Sequence, residues 1–122
     1  MGEKDRGRYS NPLSERYASP AMSAIFSEDS KFRTWRSCWI ALAEAERELG
    51  LPIAAGQIAD LKRACEDIDF DRAAKYEKQT RHDVMAHVHA YGKSAKKAAP
   101  IIHLVATSYD VADNADLWIF RE

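Results

Sequence analysis

The feature that most restricts what this chain can become is one apolar stripe at helical spacing. Trp35, Cys38, Trp39, Leu42, Ala45 and Leu49 recur at steps of three and four, so a helix over about 28–49 gathers them on one face. Ser27 reads as its N-cap, with Glu28 and Asp29 placed favourably in the first turn. Gly50 supplies a left-handed stop, and Pro52 follows where a helix does not easily continue. Glu44, Glu46, Arg47 and Glu48 are expected on the opposite, solvated face. A long one-sided helix needs partners. The rest of the chain repeats the helical period and nowhere alternates like a strand, which predicts an all-α fold.

The remaining elements are read in order. Residues 1–24 are expected to form an irregular arm, because Gly2, Gly7, Pro12 and Pro20, with Ser10, Asn11, Ser14 and Ser19, interrupt any period. A short helix over 55–64 is anchored by Ile58 and Leu61, its start weakly marked because Ala54 and Ala55 are poor caps. Asp69 is expected to cap a third helix that reaches about Lys78. A break is expected at Arg81 and His82, with Asp83 capping a fourth helix that carries Val84, Val88 and Tyr91. Pro100 is expected to end the helical run, and 101–106 to be short extended or irregular chain. A last helix begins near Thr107 or Ser108. Val111, Ala115, Trp118 and Ile119 lie on one side of it, and Asp110, Asp113 and Asp116 on another. It reaches Glu122 with no glycine or proline stop and reads as a helix cut short. Its stripe around Val111, Trp118 and Ile119 is expected to be exposed and prone to associate. The division is therefore an arm at 1–24, a helical domain at 25–106, and the start of a truncated helix at 107–122.

Composition excludes several classes. At 122 residues the chain is one domain's worth. A formal net charge of −1 lacks the basic excess of a nucleic-acid binder. Lys93, Lys96 and Lys97 read as a solvated helix end, where cations are favoured. No run approaches the roughly 20 apolar residues of a membrane span. The charged segment Met1 to Arg8 is not followed by the apolar core of a secretory signal. Cys38 and Cys65 show neither disulfide nor zinc spacing, and Cys38 packs as a small hydrophobe. A cytoplasmic protein with reduced cysteines is expected.

Four histidines invite a metal, but their spacing does not support one. His87 and His89 point to different helix faces, and His82 to His87 is not the i, i+4 pair of a zinc helix. His82 differs in its neighbours. Asp83 can fix an imidazole tautomer and Arg81 can hold an anionic group; equally, Asp83 can simply cap a helix beside a solvated Arg81. Thr107 and Ser108 at a helix start make an anion site or a plain N-cap. The residues alone leave both pairs of readings open.

Three segments together resemble adenylosuccinate lyase, of the fumarase and aspartase superfamily. The arm Ser14-Glu15-Arg16-Tyr17-Ala18-Ser19-Pro20-Ala21-Met22 is similar to the family's S-x-R-Y-A-S-P-E-M. Arg81-His82-Asp83-Val84-Met85-Ala86-His87 matches R-H-D-V-M-A-H, and 101–117 resembles I-I-H-L-G-A-T-S followed by V-x-D-N-x-D-L. Phe32-Arg33-Thr34-Trp35-Arg36 and Leu42-Ala43-Glu44-Ala45-Glu46 agree as well. The likeness covers nearly the whole chain after its first few residues.

The resemblance implies the N-terminal helical domain of these lyases, ending where the long-helix bundle begins. It implies β-elimination: cleavage of adenylosuccinate to AMP and fumarate, and of the succinylated aminoimidazole-carboxamide nucleotide to its amide and fumarate. A base removes the proton beside a carboxylate and an acid protonates the departing nitrogen, with no metal or organic cofactor. By position, Arg16 and Tyr17 would hold the nucleotide, Arg16 at its phosphate. Arg81, His82 and Asp83 would line the same pocket, with His82 orienting or polarising substrate. Thr107 and Ser108 would bond the succinyl carboxylate or a neighbouring oxygen, and His103 would support them.

The departures carry equal weight. The family's glycine in H-L-G-A-T-S is Val105, which is strained if that position needs φ > 0, and a valine there would crowd substrate. The arm's Glu is Ala21. The family's general acid histidine, its general base serine on an S-S-x-M-P-x-K loop, and the long helices of its homotetramer have no counterpart here. The 122-residue chain alone is therefore expected to be inactive. Argininosuccinate lyase fits the R-Y-A-S-P and R-H-D-V-M-A-H segments poorly. A catalytically dead, stand-alone helical binding module derived from the family is the alternative from another class.

Overall fold

The computed structural model describes residues 6–122; the first five residues of the expected arm, with Gly2 among them, lie outside it. Six α-helices follow a five-residue π-helical turn at Leu13–Tyr17. They are α1 (Pro20–Ile25), α2 (Glu28–Glu48), α3 (Ala55–Ala64), α4 (Phe70–Thr80), α5 (Asp83–Ser94) and α6 (Ser108–Phe120). A 3-10 turn at Ala99–Ile101 sits between α5 and α6, and no strand occurs among the described residues. The fold is all-α.

The long helix α2 organises the rest. The Ser27 hydroxyl accepts from the Ser30 N–H at 3.2 Å, closing its start as the sequence predicts. At its other end Gly50 adopts φ 93°. There the Gly50 N–H donates to Arg47 O at 3.1 Å and the Leu51 N–H to Glu46 O at 3.0 Å. This paired pattern satisfies carbonyls a helix would otherwise leave open.

The face that α2 buries is rotated from the expected one. Trp35, Arg36, Trp39, Ala43 and Glu46 are buried, whereas Cys38 and Leu42 are half-buried and Ala45 and Leu49 exposed, Leu49 at 82%. Glu46, expected in solvent, is only 7% exposed, and neither carboxylate oxygen has a hydrogen-bond partner. The reason is that α2 is covered from two sides. The core lies along the Trp39–Ala43–Glu46 line and α6 lies against the helix as well. Burial raises the Glu46 pKa.

Around Trp35 and Trp39 pack Leu61, Val84, Tyr91, Val111 and Ala115. Many core positions are alanine, so backbones approach closely. At Gly92, an added Cβ would come within 3.1 Å of the Ala99 Cβ. The end of α3 is tied down by side chains from two other helices. Arg36 Nη1 donates to Ala64 O at 2.7 Å and Asp67 O at 2.9 Å, and Tyr91 Oη donates to Leu61 O at 2.6 Å. The Arg36 guanidinium lies 4.1 Å from the Tyr91 ring centroid, a cation–π contact that offsets part of the cost of burying charge.

Several boundaries differ from expectation. The segment expected to be irregular contains α1, because Ser19 accepts from the Met22 N–H at 3.1 Å and Pro20 fits the first helical position. The helix expected to reach about Lys78, α4, runs two residues further to Thr80. The helical run ends at Ser94, six residues before Pro100, which instead sits in the middle of the 3-10 turn. The α6 stripe is not left bare: Val111, Ala115 and Ile119 are buried, with α2 alongside, and only Trp118 of the expected stripe stays exposed.

Candidate active site

The expected break between α4 and α5 falls at Arg81 and His82, and it turns on Arg81, which is left-handed at φ 53°. His82 follows in extended conformation and is itself the N-cap of α5, not Asp83. His82 Nδ1 accepts from the Met85 N–H at 3.3 Å. Asp83 occupies the first helical position, and its carboxylate accepts from the Val84 N–H at 2.8 Å. An imidazole can cap where an oxygen usually does, since it too offers a lone pair.

That cap has a chemical consequence. With Nδ1 accepting, the neutral ring carries its proton on Nε2. His82 Nε2 lies 3.1 Å from Ser108 Oγ, the first residue of α6. The Nε2–H therefore donates to Ser108 Oγ and leaves the hydroxyl proton of Ser108 free for another acceptor. Two segments 26 residues apart, each a candidate on its own, are brought together by this bond.

His103, Val105 and Ala106 form one wall of a neighbouring cavity that neither His82 nor Ser108 lines. His103 and Val105 both take positive φ, 63° and 60°. His103 Nδ1 accepts from the Trp39 indole N–H at 3.0 Å, and the two rings meet edge to face at 5.9 Å. Burial lowers the His103 pKa, with the Asp110 carboxylate acting against it and His82 reinforcing it. Asp110 accepts from the Thr107 N–H at 2.8 Å, so a carboxylate already holds part of the α6 N-terminus. The cavity measures about 420 Å³ and is lined by Trp39, Leu42, His103, Val105, Asp110 and Trp118, among others. Cys38 also faces it, but burial pushes its thiol pKa up and keeps the sulfur protonated.

Not every candidate joins the cluster. Arg16 and Tyr17 lie exposed in the π-helical turn, and among the described residues no hydrogen bond, ion pair or ring contact links them to His82, His103 or Ser108. Arg81 and Asp83 are exposed at the junction. The other histidines separate as their spacing predicts. His87 is buried, stacked 3.8 Å on Phe32, while His89 is exposed beside Tyr76.

No family model matches the chain. Individual relatives do. It is 50% identical over 114 residues to adenylosuccinate lyase of Schistosoma mansoni, covering 93% of this chain and 24% of that protein. To the Saccharomyces cerevisiae adenylosuccinate lyase it is 49% identical over 121 residues, 97% of this chain and 25% of that protein. The chain belongs to the adenylosuccinate lyase family. The likeness extends to the adenylosuccinate lyase of Methanocaldococcus jannaschii, 33% identical over 114 residues. In each case the chain spans about a quarter of the relative's length.

Against that family, Val105 acquires a definite meaning. It stands where the adenylosuccinate lyase pattern has glycine, and it adopts φ 60° while 88% exposed. The backbone there is one that glycine takes freely and a β-branched residue takes under strain. Two neighbours escaped sequence reasoning. Asp110 was legible in principle, because Thr107-Ser108-Tyr109-Asp110 has the spacing of a capping box. Trp39 was not, because its partner His103 is 64 residues away.

Proposed function

We propose that this chain is the N-terminal part of an adenylosuccinate lyase, contributing to the β-elimination that cleaves adenylosuccinate to AMP and fumarate. The succinylated aminoimidazole-carboxamide nucleotide would be cleaved to its amide and fumarate in the same way. The observation that carries the reading is the hydrogen bond between His82 and Ser108. It joins the R-H-D and T-S segments, two of the three that the family resemblance assigns to substrate.

In this reading Ser108 donates its hydroxyl proton to an oxygen of the succinyl group. The Nε2–H of His82 polarises that hydroxyl by donating into it. Such donors stabilise charge that develops on a carboxylate as the adjacent carbon loses its proton. His103 supports them from the wall of the neighbouring cavity, and Thr107 offers a second hydroxyl. Arg81 and Asp83 flank the pocket at the junction. Arg16 and Tyr17 close over the nucleotide, with Arg16 at the phosphate. The base and acid that move protons come from the remaining three quarters of the enzyme, so this chain alone turns over no substrate. Elimination of this kind uses no cofactor. Residues 1–24 act as the arm, 25–106 as the helical domain, and 107–122 as the beginning of a bundle helix in a cytoplasmic homotetramer.

The test is a chimera in which this chain replaces the matching quarter of the S. cerevisiae relative, assayed for fumarate release from adenylosuccinate. Activity that falls about 100-fold on His82→Ala supports the assignment. A chimera inactive both as built and with Val105→Gly overturns it. That last result would favour the second reading, a binding module without catalysis, which the valine at a left-handed position supports.

A further inference from the structure

The Trp39–His103 contact ties the middle of the chain's longest helix to the turn before α6. Trp39 is held in the core with Trp35 and Tyr91 around it, so its indole N–H has a fixed direction. An indole nitrogen only donates, and a ring nitrogen that receives it must carry a lone pair. His103 is meanwhile held at φ 63°, a conformation non-glycine residues take at a cost.

From this geometry we infer that Trp39 is a positioning residue: by claiming Nδ1 of His103, it fixes the ring as the Nε2–H tautomer and makes His103 a hydrogen-bond donor in the cavity wall. The ligand class this suits is an oxygen acceptor, a carboxylate or carbonyl, presented in that cavity. His103 does not act as a base through Nδ1, because protonating that nitrogen would set two N–H groups against each other and break the contact. The side chains near it reinforce the arrangement. Asp110 lines the same cavity and its carboxylate is occupied by the Thr107 N–H, while His82 is turned to Ser108. The inference rests on the proposed lyase reading for the ligand, but the tautomer itself does not depend on it.

The experiment is ring-nitrogen NMR of this chain at neutral pH. We expect His103 Nδ1 at an unprotonated shift, Nε2 at a protonated one, and a scalar coupling across the hydrogen bond to Trp39 Nε1. Trp39→Phe should abolish the single-tautomer pattern and give a mixture of both forms. A protonated Nδ1, absence of the coupling in the unsubstituted chain, or unchanged His103 shifts in Trp39→Phe each overturn the inference. If Trp39→Phe does not fold, the coupling in the unsubstituted chain decides. The chimera assay separates the two claims. The expected tautomer in this chain, with a chimera inactive both as built and with Val105→Gly, sinks the lyase-site reading and leaves the tautomer assignment standing, and the reverse pattern does the opposite.

Discussion

His82 reaches Ser108 with one ring nitrogen while the other caps α5, so one side chain sets a helix start and joins two segments. The two duties are separable by substitution. His82→Ala removes both and should cost about 1 kcal/mol, the typical worth of a cap. For a chain of this size that lowers Tm by about 4 °C. His82→Asn restores a good capping side chain and should recover most of that loss. Thermal unfolding followed by circular dichroism would show it, and equal losses in both variants would rule out the cap.

Val105→Gly should stabilise the fold. Left-handed backbone costs a non-glycine residue about 1–2 kcal/mol, and the valine side chain is too exposed to lose packing. Glycine's greater freedom in the unfolded chain takes back up to about 1 kcal/mol. A net gain of about 0.5–1 kcal/mol should appear as a higher urea midpoint. A lower midpoint would mean that the valine makes contacts worth more than its strain.

Arg36→Ala should be the most damaging of the variants considered. It leaves the carbonyls of Ala64 and Asp67 without their buried donor and opens a gap against Tyr91. Hydrogen bonds from a charged group are worth about 1.5–3 kcal/mol, so a loss of roughly 3 kcal/mol is expected. Arg36→Met, which keeps the volume but not the bonds, should cost less. Chemical denaturation of both variants would test this, and equal costs would assign the effect to the lost hydrogen bonds alone.

Stability should fall as the solution is acidified below neutrality. Burial, with Arg36 nearby, lowers the His87 pKa from 6.5 to about 4. The unfolded chain therefore binds the proton first. The contribution is fully present above about pH 6.5 and is lost as pH falls towards 4, amounting to roughly 3 kcal/mol over that window. Urea unfolding at pH 7.5 and pH 5 should show the difference, and His87→Gln should flatten it. A slope that survives His87→Gln would place its origin elsewhere.

Much of this architecture could be read from local pattern. The caps at Ser27 and Asp69, the stop at Gly50 and the break at Arg81 are short-range effects of side-chain oxygens and backbone sterics, and they lie where the residues place them. What was not legible depends on contacts distant in sequence. Arg36 looks like a surface cation until the end of α3 is brought to it, and Glu46 like a solvated carboxylate until its face of α2 is covered. The site shows the same division. Val105 announces its strain through the departure from glycine, and His82 and Ser108 each stand out by their neighbours, but the bond between them exists only in the folded chain.

The two-residue junction of Arg81 and His82 leaves the chain little slack between α4 and α5. Adding or deleting a residue downstream of it would turn the rest of α5 by about 100° about its axis. His82 would then be separated from the turn it caps, and Tyr91 would swing away from the carbonyl of Leu61. Such a junction takes neither an insertion nor a deletion without losing these contacts. Its length is thus as much a part of the fold's specification as the identity of any side chain in the core.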